Sequence, residues 1–156
     1  MKKVIALVLS LVCVIGLVGC SNNKVKVWDW AQNLKQDDIV SVTPWHRDKE
    51  YIESEPLSDE EVIEFVALLN KLTKKSFTQN KKGGGITPTV GMQIELSSGT
   101  CVLNYAPSPY GKYGMLEISF LGDDEMPYWI DNAELLAFFG RVTNSETACR
   151  ASAPFA

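Results

Sequence analysis

The stretch from Leu57 to Lys75 constrains the fold more than any other part of the chain. Val62, Phe65, Val66, Leu69 and Leu72 recur at helical spacing and form one apolar stripe that has to be covered by a core. Ser58 with Glu61 three residues later makes a capping box, and Leu57 with Val62 supplies the hydrophobic staple. Asp59, Glu60, Glu61 and Glu64 lie toward the N-terminus of the stretch and Lys71, Lys74 and Lys75 toward its C-terminus, both favourable to the helix dipole. The pattern predicts a helix over 57–75 with one face on something apolar.

The rest of the chain supplies that partner as strands. Met92, Ile94 and Leu96 alternate with Gln93, Glu95 and Ser97, the period of a strand wet on one face. The turn Ser97-Ser98-Gly99 leads into Thr100 to Tyr105, and Leu116 to Phe120 alternates again. Ile39 to Thr43, rich in β-branched residues, reads as a first core strand closed by Pro44. Short strands are expected through Tyr51-Ile52, from Ser76 to Asn80, and through Tyr128-Trp129-Ile130, with one or two helical turns boxed by Asp29 and Gln32 before them all. Asp131 with Glu134, stapled by Ile130 and Leu135, starts a second main helix over 131–142. The expected architecture is α+β: an antiparallel meander of about four or five strands with two main helices (57–75 and 131–142) packed on one face. The element order resembles that of helix-on-curved-sheet domains of the TATA-box-protein type, a topological likeness that implies nothing about DNA.

The N-terminus is of another kind. Lys2 and Lys3 precede an almost unbroken apolar run from Val4 to Val18, the layout of a secretory signal peptide and short of the about 20 residues a spanning helix needs. At Leu17-Val18-Gly19-Cys20 the sequence resembles the lipobox of bacterial lipoproteins. That resemblance implies cleavage between Gly19 and Cys20 and a diacylglyceryl group on the Cys20 thiol. Two acyl chains anchor stably where one is marginal. The implied organisation is a signal peptide over 1–19, a lipidated tether over 20–24, a single domain over 25–142 and a flexible tail over 143–156. The implied location is the cell membrane, facing away from the cytoplasm, and the globular part resembles small bacterial envelope lipoproteins.

Charge narrows the partners. The whole chain has 15 Lys and Arg against 19 Asp and Glu, and losing Lys2 and Lys3 leaves 13 against 19, a balance of −6. Nucleic acid and polybasic membrane contacts both call for clustered positive charge, so neither is expected. Cys101 reads as a small buried hydrophobe, with a bridge to Cys149 left open because spacing does not establish geometry.

A search for chemistry finds little. His46 is the sole histidine and has no nucleophile motif beside it. There is no Cys-x-x-Cys or His-Glu-x-x-His pattern, and Asp123-Asp124-Glu125 lacks the spaced ligands of a calcium loop, so no metal and no cofactor are expected. Glu95 and Glu117 are the nearest approach to a carboxylate pair for glycoside hydrolysis, against the plain reading of polar residues on an open sheet. Lys81-Lys82-Gly83-Gly84-Gly85 lacks the phosphate-loop order and reads as a turn. Aromatic residues remain: Tyr110 and Tyr113 in a Pro/Gly loop with Tyr128 and Trp129 before the last helix form a candidate recognition surface, while Trp28 and Trp45 flank early turns. Closure of the core by Trp45 and Trp129 is the competing reading. The sequence therefore points to a lipid-anchored, non-catalytic binding or interaction module for a protein or small-molecule ligand. A cell-envelope hydrolase, or a structural subunit of an envelope complex, is the alternative.

Overall fold

The computed structural model describes residues 23–79, 87–106, 115–122 and 127–144. Three helices, α1 (Asn23–Asn33), α2 (Asp59–Asn70) and α3 (Ala133–Val142), accompany seven strands: β1 (Ile39–Arg47), β2 (Tyr51–Glu53), β3 (Phe77–Gln79), β4 (Val90–Leu96), β5 (Gly99–Ala106), β6 (Met115–Phe120) and β7 (Tyr128–Ile130). The strands form one sheet in the order β2-β1-β4-β5-β6-β7-β3, every pair antiparallel. The class is α+β, as the alternation implies. The sheet is larger than the four or five strands expected, because the short segments at both edges join it, and a third helix shares the core.

The expected meander is β4 to β7, and its inward residues alternate as the sequence pattern requires. Met92, Ile94, Cys101, Leu103, Leu116, Ile118 and Ile130 are all buried and share one cluster with Val27 and Ala31 of α1, Phe65 and Leu69 of α2, and Leu135 and Phe139 of α3. The helices thus cover a single face of the sheet.

Four local expectations are corrected by the structure. The first strand does not stop at Pro44 but runs to Arg47. Pro44 accepts from the Ser54 N–H at 2.9 Å on its outer side, so its own missing N–H also points to the sheet margin, where β2 has ended. Helix α2 has the predicted box, with the Glu61 N–H donating to Ser58 Oγ and the Ser58 N–H to Glu61 Oε2, but it ends at Asn70 rather than Lys75. Its last carbonyl and one just beyond it are taken from outside: Gln32 Nε2 donates to Asn70 O and to Leu72 O (2.7 Å), and Trp28 Nε1 donates to Leu72 O (3.2 Å). Gln32 therefore caps a neighbouring helix instead of boxing with Asp29, which lies inside an 11-residue α1. Finally, α3 is capped by Asn132, whose Oδ1 accepts from the Leu135 N–H at 2.8 Å, and not by Asp131.

Helix α1 begins at Asn23, within the expected 20–24 tether, and α3 closes at Val142 with a turn through Asn144. Cys101 is free and buried, and burial pushes its thiol up to about 12. Cys149 lies outside the described residues. No helix among the described residues is long and apolar enough to cross a membrane.

Candidate functional site

The face of the sheet opposite the helices is crossed by one row of directly paired residues, one from each of the seven strands. In spatial order they are Glu53, Trp45, Gly91, Asn104, Glu117, Trp129 and Thr78. Residues paired across strands point to the same side, so these seven side-chain positions form a line roughly perpendicular to the strands. Each strand places its member by simple alternation. In β7, for instance, Tyr128 and Ile130 turn inward and Trp129 turns out.

The centre of the row is packed tightly for an outer face. Trp45 is only 7% exposed yet does not belong to the main core cluster. Its ring lies over Gly91: a Cβ there would fall 2.5 Å from Trp45 Cζ2 and 2.5 Å from Asn104 Oδ1. The glycine is needed for close approach, not for an unusual backbone. On its other flank Trp45 meets Tyr51, with ring centroids 5.2 Å apart at 34°. Further along the row, Trp129 Nε1 donates to Glu117 Oε2 at 3.1 Å.

Between Trp45 and Glu117 in the row sits a chemically unsettled group. Asn104 is 9% exposed, and its Oδ1 has no hydrogen-bond partner among the described residues. A buried acceptor left unmade costs about 1 to 3 kcal/mol. Among the described residues Asn104 is also the sole polar or charged one that is buried. Chemically, Oδ1 lacks an N–H or O–H donor, buried in a row that carries Trp45 on one side and Glu117, then Trp129, on the other.

The aromatic candidates separate on this geometry. Trp129 is half-buried and belongs to the row. Tyr128 does not belong to a contact surface: at 2% exposure it is a core residue, because the same alternation that turns Trp129 out turns Tyr128 in. Tyr110 and Tyr113 lie outside the described residues, as do Gly19, Cys20, the 81–85 glycine turn and the 123–125 acidic turn. Trp45, read from sequence as flanking a turn, is instead a strand residue on the outer face, one strand in from the β2 edge. Trp28 packs into the helical layer, with the Lys74 ammonium 4.4 Å from its ring centre.

The catalytic candidates are not brought together. His46 is exposed near the sheet margin, opposite Ile52 and Val90. Glu95 and Glu117 do share the outer face, but they stand two strands and four residues apart, about 16 Å, where glycosidic carboxyl pairs need about 5 to 9.5 Å. Glu95 is engaged locally, accepting from Ser41 Oγ at 3.1 Å and Gln93 Nε2 at 3.3 Å. Among the described residues no group of three or more His, Cys, Asp or Glu side chains is placed to hold a metal ion.

No protein-family model matches the chain, and no curated protein or solved structure matches it either.

Proposed function

We propose that the chain is a lipid-anchored, extracytoplasmic binding module whose ligand is received on the outer face of the sheet along the Trp45-to-Trp129 row. Two independent features support this reading. The leader, with Lys2 and Lys3, an apolar run and Leu17-Val18-Gly19-Cys20, is laid out as a lipoprotein address. The observation that carries the binding role is Asn104 Oδ1, buried without a partner among the described residues, in the row that no described helix covers. Such a group is a stability cost that a donor-bearing ligand relieves. The ligand, a protein or a small molecule, carries an amide, amine or hydroxyl donor for Asn104.

The test is crosslinking capture from intact bacterial envelopes, comparing the parent chain with Asn104→Leu, Trp129→Ala and, as a control on the helical side, Ile63→Ala. The expected result is a captured species lost from the first two variants and retained by the third. An identical set of captured species from the parent and Asn104→Leu refutes the assignment of this face.

A further inference from the structure

Strand β2 ends the sheet order, and the direction of its backbone groups can be worked out. The Ser54 N–H donates to Pro44 O at 2.9 Å and the Leu57 N–H to Val42 O at 2.8 Å, whereas the Arg47 N–H donates to Thr89 O at 2.7 Å on the other side. Even-numbered residues of β1 therefore turn their backbone groups toward β2, and odd-numbered ones toward β4. Ile52 pairs with His46, so Ile52 spends its N–H and C=O on β1. Tyr51 and Glu53 consequently aim theirs away from the sheet, and among the described residues no backbone group meets them.

This edge is also apolar in its middle. Tyr51 and Ile52 are 45% and 46% exposed, two of the few large hydrophobic side chains so placed. Short length and charged neighbours usually blunt such an edge, and Lys49, Glu50, Glu53 and Glu55 are all there. Two of them, however, are self-complementary: Lys49 and Glu55 stand three residues to either side of Ile52. We propose that β2 is the edge through which two copies of this chain pair, antiparallel about a two-fold axis at Ile52, to give one continuous fourteen-stranded sheet.

In that register Tyr51 of each copy exchanges both backbone hydrogen bonds with Glu53 of the other, and all four outward N–H and C=O groups of each strand are used. Ile52 meets Ile52 as a non-hydrogen-bonded pair, the closer kind, with Cα atoms about 4.5 Å apart. The Lys49 end of each strand comes beside the Glu55 end of the other. Neighbouring registers fail. Centring on Glu53 sets two carboxylates directly opposite, and centring on Tyr51 demands extended backbone at Lys49, which lies in the bend over 48–50. A contact of three-residue strands is far smaller than the about 1,600 Å² of a standard interface, so it belongs to the weak, transient class.

Disulfide trapping reads such a contact, since the Cα spacing at position 52 suits the bond. In the full chain, Ile52→Cys treated with oxidised glutathione is expected to form a linked dimer about tenfold faster than Val40→Cys or Ile63→Cys, both exposed but off this edge. Adding Glu53→Pro removes an outward N–H, along with a carboxylate that faces no opposite charge in this register, and should slow the linkage about tenfold. Lys49→Glu should slow it as well, and Lys49→Glu combined with Glu55→Lys should restore it. Equal rates at positions 52 and 63 overturn the proposal. So does a charge swap that fails to rescue.

Discussion

Gly91 lacks a side chain because Trp45 occupies the space where one would go. Gly91→Ala therefore has to displace an indole and the Asn104 amide, and we expect a loss of about 1 to 3 kcal/mol in denaturant unfolding. Asn104→Leu has the opposite sign: removing an unpaired buried acceptor should stabilise the domain by about 1 to 3 kcal/mol while abolishing capture. Cys101 gives a pH signature. Its thiol is raised from 9.0 to about 12 by burial, so the unfolded chain loses that proton first as pH rises. The contribution is fully present below pH 9.0 and disappears as the pH climbs toward about 12. Its slope reaches about 1.4 kcal/mol per pH unit. Comparing Cys101→Ala with the parent across that window should show a flatter alkaline decline in the variant. At this scale the sequence was partly readable. Alternation in Tyr128-Trp129-Ile130 already separates one inward tyrosine from one outward tryptophan, but the pairing of Trp45 with Gly91 joins residues 46 apart and leaves no local trace.

The elements repeat the division between local and distant causes. The start of α2 is written in Ser58 and Glu61, and Ser58→Ala should cost about 1 kcal/mol in thermal or denaturant unfolding. Its end is written elsewhere, in Gln32 of α1, which takes the Asn70 carbonyl, and in Trp28, which joins Gln32 on the Leu72 carbonyl just beyond the helix. Gln32→Ala should therefore destabilise by about 1 kcal/mol although Gln32 lies outside α2. That is also why the lysines at 71, 74 and 75 suggested a longer helix: they favour a C-terminal dipole but do not decide where hydrogen bonding stops. Pro44 misled for a similar reason. A proline ends a central strand only when its absent N–H would have faced a neighbour, and which way it faces depends on register.

At the scale of the molecule, the three helices among the described residues lie on one side of a seven-stranded sheet, and the other side carries a row of residues drawn from every strand. The α+β class followed from one long amphipathic stripe and several alternating segments. Strand count and edge order did not, because three-residue strands carry too little pattern to rise above a loop. The proposed anchor is a separate inscription, confined to the first 20 residues, and on that proposal it sets where such a face would meet its ligand. The most direct measurement is incorporation of labelled fatty acid together with intact mass, for the parent chain and Cys20→Ala expressed in a bacterium. The parent is predicted to lose residues 1–19 and carry label on Cys20, and Cys20→Ala to do neither. An unlabelled parent that retains residues 1–19, or normal maturation of Cys20→Ala, contradicts the lipid-anchored assignment.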